Sequence, residues 1–251
     1  MKYEHKEETH NLKSPEVIVP ILYKLVQPKN VIDIGCGVGT FLYVFKKLGV
    51  KEVLGLDGEW ANKNLLDKYL EPNEFRSANL SEVIDFNKKF DLAICLEVGE
   101  HIPEDYSENL VKTLVNASSV IIFSAASPYQ HGQHHVNEQW PDYWINKFLK
   151  YDFHFHDLLR STFWNDPDVD FWYKQNMFLV MHKDKVLDGK IINELKQNTF
   201  NNIIHPDAFI KRSKLYLDIR DGKMSTYFYF SLLAKKFLNK IGVYKKSKSY
   251  S

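Results

Sequence analysis

The ten residues HGQHHVNEQW, at positions 131–140, concentrate side chains that could do chemistry. His131, His134 and His135 occur within five residues, and Glu138 follows them. Imidazoles exchange protons near neutral pH, and imidazoles and carboxylates both bind metal ions. The stretch therefore predicts a reactive loop, and its role depends on the residues that the fold places beside it.

A second polar cluster ends the segment FDLAICLEVGEH, where Glu97, Glu100 and His101 stand at positions i, i+3 and i+4. One turn of helix after a strand would place all three side chains on one side. A structural alternative is the start of a helix, where the helix dipole favours acidic residues.

The segment VIDIGCGVGTFL places Gly35, Gly37 and Gly39 between a predicted strand and a predicted helix. Glycine lets a chain turn sharply and approach a ligand closely. Thr40 stands where the dinucleotide fingerprint requires glycine or alanine, which disfavours a nicotinamide dehydrogenase. Asp33 precedes the first glycine by two residues, where a carboxylate can organise the loop.

Asp57 ends the second predicted strand, where an acid can bind both hydroxyls of a ribose. Together with Asp33 and the three glycines, it resembles the first two motifs of the class I S-adenosylmethionine (SAM)-dependent methyltransferases. This resemblance covers about residues 14–182 and implies SAM as the cofactor. It also implies adenine contacts from Asn79 and Leu80 after the third strand, and a position for Glu97 below the methionine part. An aspartate is more usual at position 79, but an amide can still bond the adenine amino group.

Alternating strand and helix patterns surround these residues and predict a mostly parallel sheet with helices on both faces. Ligands bind such sheets beyond the carboxyl ends of the strands, where all these residues lie. The resemblance implies a Rossmann-like, seven-stranded α/β sheet with one antiparallel strand near its edge. We further expect a helix from Ser14 to about Leu25 capped by Ser14, a helix over 60–69, and a closing strand pair at 152–157 and 172–181.

Two readings of the polar clusters stay open. The pattern Glu-x-x-Glu-His with a later histidine resembles the metal ligands of small-RNA 3′-terminal 2′-O-methyltransferases, and the resemblance implies Mg²⁺ or Mn²⁺ held by Glu97, Glu100, His101 and His135. Without a metal, a neutral histidine could accept the proton of a hydroxyl that attacks the SAM methyl group. We then expect His135 to be the base, with His134 or His101 as alternatives.

The segments HHVNEQWPDYW and RSTFWNDPDVDFWYKQNMFLV resemble bacterial methyltransferases found with capsule and lipopolysaccharide sugar genes. The resemblance implies an O-methyltransferase that acts on a sugar, which is nucleotide-activated or already in a glycan. Aromatic rings could stack on a sugar and amides could bond its hydroxyls. The expected substrate residues are Asn137, Gln139, Trp140, Trp164, Tyr173 and Asn176, with Trp144 and Trp172 as further walls and Arg160 as a diphosphate contact.

Composition sets further limits. The 251 residues carry a net charge of +1, which gives no global field for nucleic acid, and none is expected as a partner. The two cysteines lie in apolar segments and the first ten residues are polar, so we expect reduced thiols and a cytoplasmic protein. Residues 1–182 are predicted to form the methyltransferase domain. Residues 183–251 are predicted to form a C-terminal, mostly helical extension whose basic helix could contact an anionic membrane, and an oligomer is compatible with the sequence.

Other functions remain open from the sequence. The methyl acceptor could be a quinone-like phenol, another small molecule or an RNA 3′ end. A SAM-binding scaffold without catalysis is a further alternative, although the intact glycine loop and the three histidines disfavour it.

Overall fold

A computed structural model describes residues 7, 9–187, 189 and 203–240. The chain divides into two compact units, one that ends at His205 and one that begins at Pro206. The domain boundary predicted between residues 182 and 183 stays a prediction, because residues 188 and 190–202 lie outside the described ranges.

A seven-stranded sheet forms the centre of the first unit, with the strand order β3-β2-β1-β4-β5-β7-β6. Strand β7 is antiparallel to both β5 and β6, and the other neighbours pair in parallel. This sheet confirms the Rossmann-like α/β methyltransferase fold. Its strands are β1 (Asn30–Ile34), β2 (Glu52–Asp57), β3 (Phe75–Ser77), β4 (Leu92–Leu96), β5 (Val120–Ser124), β6 (Phe153–His156) and β7 (Phe178–His182).

Helices follow most of the strands, and two helices form the second unit. They are α1 (Lys13–Val26), α2 (Thr40–Lys47), α3 (Lys63–Leu66), α4 (Ser107–Ala117), α5 (Pro141–Leu149), α6 (Leu159–Phe163), α7 (Phe171–Asn176), α8 (Pro206–Arg220) and α9 (Thr226–Lys240). Short 3₁₀ helices occupy Pro72–Glu74, Gly99–His101 and Glu104–Tyr106. Within the described ranges, no helix is both long and apolar enough to cross a membrane.

The sheet is buried on both faces. Successive strand residues point to opposite faces, and helices cover each of these faces. Val31 of β1 packs in a cluster with residues of α1 and α2, whereas Ile32 packs in a cluster with residues of α4 and α5. Each fully buried aliphatic side chain of this kind contributes about 1.5–3 kcal/mol to stability. The two clusters hold the carboxyl ends of β1, β2, β4 and β5 at one edge.

Three local predictions were wrong. Helix α1 begins at Lys13, and Ser14 does not cap it; the Ser14 hydroxyl donates to Asp170 Oδ2 at 2.8 Å and accepts from the Asp170 N–H at 3.0 Å. The helix expected over 60–69 is reduced to α3. Residues 172–176 belong to α7 instead of a strand, because the pairing with β5 begins only at Phe178.

Candidate cofactor and catalytic site

The loop between β1 and α2 requires glycine for two physical reasons. Gly35, Gly37 and Gly39 have φ angles of 88°, 57° and 85°, which side-chain-bearing residues rarely adopt. A Cβ atom on Gly35 would lie 2.3 Å from a Val98 methyl group, and one on Gly39 would lie 2.6 Å from Leu70. The loop therefore packs closely against Val98 and Leu70, and neither Gly35 nor Gly39 leaves space for a side chain.

Asp57 ties the end of β2 to this loop. Its Oδ2 atom accepts the Gly37 N–H at 2.8 Å, and its Oδ1 atom accepts the Gly58 N–H at 2.7 Å. Burial raises the pKa of Asp57 to about 6, although the two backbone donors lower it. Burial and the nearby charge of Asp57 also raise the pKa of Asp33 well above its usual value. Asp57 thus bonds the glycine loop directly, and Asp33, predicted to organise that loop, lies beside Asp57; the ribose contact assigned to Asp57 stays a prediction.

Asn79 and Leu80 follow β3 at the same edge of the sheet. The Asn79 side chain is exposed; its oxygen accepts the Ser81 N–H at 3.1 Å and its amide donates to Glu82 at 2.8 Å. Leu80 is buried in the core cluster that contains α4. The adenine contacts assigned to both residues stay predictions.

Glu97 follows β4 and joins three segments of the chain. Its carboxylate accepts from Gln130 Nε2 at 2.7 Å and from Asn176 Nδ2 at 3.1 Å. Its backbone N–H donates to the Ser124 hydroxyl at 3.0 Å. Burial raises the pKa of Glu97, and the Gln130 and Asn176 amides counteract this effect.

Glu100, His101 and His135 form a compact cluster, here called the Glu-His-His cluster. One ligand atom from each residue lies within 4.8 Å of the others, and the two imidazole rings are 4.9 Å apart. Their convergence shows that the loops after β4 and β5 meet above the strand ends. Glu97 lies outside this group of donor atoms.

The burial and charges of the Glu-His-His cluster favour a bound cation, which would stabilise the buried Glu100 carboxylate. Glu100 is 1% exposed, and its Oε2 atom has no hydrogen-bond partner within the described part of the chain. Burial, followed by the charge of Glu97, raises the pKa of Glu100 well above its usual value. Burial and repulsion by His135 lower the pKa of His101 to about 4, which keeps that ring neutral at pH 7.

These donors fit a divalent metal ion. His135 Nε2 and Glu100 Oε1 lie 3.9 Å apart, too far for a hydrogen bond but suited to two ligands of one ion. Two imidazoles and one carboxylate suit Mn²⁺ better than Mg²⁺, which prefers oxygen ligands.

Glu138 holds the other nitrogen of His135. The distance from His135 Nδ1 to Glu138 Oε1 is 2.7 Å. Glu138 is buried, which raises its pKa, but the His135 hydrogen bond and the His131 N–H outweigh burial and lower the pKa overall.

His131 and His134 act through their backbones in this structure. The exposed His131 donates its N–H to Glu138 at 2.5 Å. The backbone oxygen of His134 lies 3.4 Å from His101 Nδ1. The base assigned to His135, with His134 or His101 as alternatives, stays a prediction.

Unusual backbone angles cluster at this edge of the sheet. The non-glycine residues Glu97, Tyr129, His131 and His134 have φ angles of 56°, 68°, 54° and 59°. Such angles cost free energy and persist where surrounding contacts enforce them, often at functional sites. Their concentration in the loops after β4 and β5 supports a functional role for both loops.

The predicted substrate residues fall into two groups. Asn137 is buried; it donates to the Ser107 hydroxyl at 3.1 Å and accepts from Gln139 at 3.0 Å, so both amides brace the loop on α4. Asn176 also lies in an internal network, with Glu97 and Gln130. Trp140, in contrast, is 36% exposed.

Trp164 and Tyr173 are half-buried aromatic residues in the segment after β6. The Trp164 ring lies 4.4 Å from the His205 ring, and the Tyr173 ring lies 5.5 Å from Phe41. Burial, followed by the charge of Glu97, raises the pKa of Tyr173. Their contacts with substrate stay predictions.

Two further sequence expectations were wrong. Trp144 is a core residue, 5.2 Å from the Phe123 ring, and it fills the space where a Cβ on Gly99 would lie. Arg160 is also buried and pairs with both oxygens of Asp157, with its guanidinium 4.3 Å from the Phe178 ring. A buried, fully engaged guanidinium does not reach a diphosphate.

Ser127 and Gln130 are site residues that sequence reasoning missed. The Ser127 hydroxyl donates to Asn176 Oδ1 at 3.0 Å, and Gln130 bonds both Glu97 and Asn176. Both residues lie in the loop directly after β5, and site residues also follow β1, β2 and β4. This placement was the signal in the sequence that could have identified them.

Comparison with known proteins agrees with this geometry. The family described as a methyltransferase domain matches residues 5–156. A ribosomal protein L11 methyltransferase from Fusobacterium nucleatum is 35% identical over 103 residues, which cover 38% of this chain and 32% of that protein. A mitochondrial ubiquinone biosynthesis O-methyltransferase from Dictyostelium discoideum is 31% identical over 110 residues, which cover 37% of this chain and 34% of that protein. The chain thus matches about a third of the length of each curated relative.

The sugar N-methyltransferase KedS8 from Streptoalloteichus sp. ATCC 53650 has a similar structure. Its TM-score is 0.54 at 10% identity, over 71% of this chain and 90% of that chain. This likeness shows a shared fold. Because the family match covers more than half of the sequence and the sheet has the expected strand order, the chain belongs to the methyltransferase domain family.

Proposed function

We propose that this methyltransferase transfers the SAM methyl group to a hydroxyl oxygen, with His135 as the proton acceptor. The observation that carries the proposal is the orientation of His135, whose Nδ1 atom is held by Glu138 and whose Nε2 atom lies beside Glu100. In the reaction, the hydroxyl oxygen attacks the methyl carbon as the carbon–sulfur bond breaks. The hydroxyl proton moves to His135 Nε2, and S-adenosylhomocysteine leaves with the electron pair of the broken bond.

The proposed acceptor is a sugar, specifically a nucleotide-activated hexose or heptose used to make capsule or surface polysaccharide. The proposed location of the methyl transfer is the cytoplasm. The segment between β5 and α5, residues 125–140, is here called the histidine loop. Its exposed aromatic side chains, Tyr129 and Trp140, support this choice because flat rings stack on sugar faces. The likeness of the C-terminal part of the domain to capsule-associated methyltransferases supports it as well.

A metal-assisted variant of the same reaction uses the Glu-His-His cluster. Glu100, His101 and His135 would hold Mn²⁺ or Mg²⁺, and the ion would lower the pKa of a bound hydroxyl. In this form of the mechanism, Glu138 would orient His135 as a metal ligand and not as a base. Metal-bound histidines commonly donate their second N–H to a carboxylate.

A quinone-like phenol is the second candidate acceptor. It is favoured by the sequence likeness to a ubiquinone biosynthesis O-methyltransferase. An RNA 3′ end and a non-catalytic scaffold complete the alternatives.

Methyl transfer from labelled SAM to a panel of nucleotide-activated sugars, phenols and short RNAs tests the proposal. We expect transfer to a sugar, and we expect His135→Ala to lower kcat by about 10²–10⁴-fold while SAM affinity stays unchanged. The matched control is His154→Ala, which alters an exposed histidine of β6. Labelling of only phenols or only RNA would contradict the sugar assignment, and full activity of His135→Ala would contradict its role.

EDTA separates the two forms of the mechanism in the same assay. Activity that survives EDTA supports the histidine base. Activity that EDTA abolishes and Mn²⁺ or Mg²⁺ restores supports the metal-assisted variant.

The basic C-terminal helix α9 is proposed to lie on an anionic membrane surface. Helix α9 contains no acidic residue and three lysines, and several of its aromatic residues are exposed. Such a helix combines apolar insertion with attraction to anionic lipids.

A further inference from the structure

A single buried carboxylate organises the histidine loop. Glu138 is 1% exposed, yet three donors reach it. Its Oε2 atom accepts the Tyr129 N–H at 2.9 Å, and its Oε1 atom accepts the His131 N–H at 2.5 Å and the His135 Nδ1–H at 2.7 Å. The carboxylate therefore binds the backbone of the loop and the ring of one of its histidines together.

The contact with His135 dictates where the proton of a neutral ring resides. A carboxylate is an acceptor, so the short contact requires a hydrogen atom on Nδ1. A neutral imidazole carries one such hydrogen, and its lone pair then lies on Nε2. That nitrogen is the one beside the Glu100 carboxylate, at 3.9 Å from Oε1.

We propose that Glu138 is the positioning residue of the site, which fixes His135 in the Nδ1–H tautomer and presents the Nε2 lone pair to the Glu-His-His cluster. The catalytic consequence rests on the proposed function, whereas the tautomer does not. The same lone pair serves a proton acceptor and a metal ligand, so the assignment of Glu138 holds for both forms of the mechanism.

The loop backbone explains why a carboxylate is needed at this position. Tyr129 and His131 both have left-handed φ angles, which turn their N–H groups toward one point. An amide in place of the carboxylate keeps one acceptor oxygen but turns an N–H₂ group toward one of these donors. Glu138→Gln therefore retains part of the arrangement, and Glu138→Ala retains none of it.

The tautomer is measured directly by ¹⁵N NMR of the histidine side chains in the full chain, in mildly alkaline buffer with EDTA. The His135 signals are assigned from their loss in His135→Ala. We expect the Nδ1–H form in the unaltered protein, a large Nε2–H fraction in Glu138→Ala, and mainly the Nδ1–H form in Glu138→Gln. An Nε2–H ring in the unaltered protein overturns the proposal, even if Glu138→Ala does not fold. An unchanged tautomer in a folded Glu138→Ala protein also overturns it.

Kinetics then test the catalytic consequence. We expect Glu138→Ala to lower kcat by about 10²–10⁴-fold with little change in the KM for SAM, and Glu138→Gln to recover part of this loss. The matched control is Glu108→Ala, because Glu108 lies on α4 and its carboxylate accepts from the Tyr151 hydroxyl, outside the site. An equal loss in the control, or a loss confined to KM, contradicts positioning. If the tautomer responds as expected but no acceptor is methylated, the proposed function fails and the role of Glu138 stands.

Discussion

The Asp57 carboxylate, at the end of β2, holds the glycine loop in place and is also predicted to bind the ribose of SAM. It receives the N–H groups of Gly37 and Gly58, and its buried position raises its pKa to about 6. A raised pKa means that the folded, ligand-free protein binds the Asp57 proton more tightly than the unfolded chain does. This contribution to folding stability is thus full below the unfolded pKa and is lost as pH rises through about 6.

The same carboxylate predicts how SAM affinity depends on pH. Ribose hydroxyls donate hydrogen bonds best to the ionised form, so we expect the Kd for SAM to be constant above about pH 7. Below about pH 6 it should rise roughly tenfold per pH unit. Isothermal titration calorimetry between about pH 5 and 8 measures this change. Asp57→Asn should weaken SAM binding at about pH 8 and make the Kd for SAM nearly independent of pH. The control Asp67→Asn alters an exposed residue and should leave the pH dependence of the Kd unaltered. A flat profile in the unaltered protein contradicts the assignment of Asp57 to the ribose.

The site is assembled from loops at the carboxyl ends of neighbouring parallel strands. The loop after β1 holds the glycines, and the loops after β4 and β5 supply the Glu-His-His cluster. Rigid strands fix the start of each loop, and strained residues such as Glu97 and His134 fix its course.

Gly35 tests the close packing between two of these loops. Gly35 has a left-handed φ angle, and the Cβ of an alanine at this position would collide with Val98. Gly49 also has a left-handed φ angle, 97°, but an added Cβ there would lie in open space. We expect Gly49→Ala to cost about 1–2 kcal/mol of unfolding free energy from the backbone angle. Gly35→Ala should cost at least about 1 kcal/mol more, because overpacking adds to that strain. Gly35→Ala should also weaken SAM binding.

Urea unfolding and SAM titration measure these effects on both variants. Equal unfolding free energies for the two variants would show that the loop can move away from Val98.

Charge and exposed apolar side chains are unevenly distributed along the chain. The chain has a net charge of +1, but residues 206–240 carry eight cationic and three acidic side chains. Tyr227, Phe230, Leu233 and Phe237, at helical spacing on α9, are each more than 60% exposed. Neither α8 nor α9 has a buried residue. Exposed apolar residues beside lysines are typical of helices that bind anionic membrane surfaces.

Vesicle flotation tests this surface with the full chain. We expect binding to vesicles of phosphatidylcholine with phosphatidylglycerol, weaker binding in high salt, and little binding to phosphatidylcholine alone. Phe230→Ser combined with Phe237→Ser should lower the vesicle partition coefficient by about a hundredfold or more, since each aromatic ring loses about 1.5–3 kcal/mol of burial. Val83→Ser, at an exposed loop position of the first unit, is the control.

Absence of vesicle binding at low salt would contradict the lipid assignment. Concentration-dependent dimerisation, or equal binding to nucleic acid, would assign the same surface to another partner.

A mostly parallel sheet covered by helices and the glycine loop after β1 were predictable from the sequence, although the extents of α3 and α7 were not. Strand and helix periodicity, Gly35 to Gly39 and the acid at the end of β2 are local signals, because neighbouring residues set them. Which side chains meet became known only from the folded structure. Glu97 meets Asn176 across 79 positions, Trp144 enters the core, and Arg160 pairs with Asp157. Residue types and spacing predicted the chemistry of the histidine loop, but the direction of its side chains is set by hydrogen bonds within the folded loop and with α4. Those contacts distinguish Glu138, which holds His135, from the amides of Asn137 and Gln139, which hold the loop.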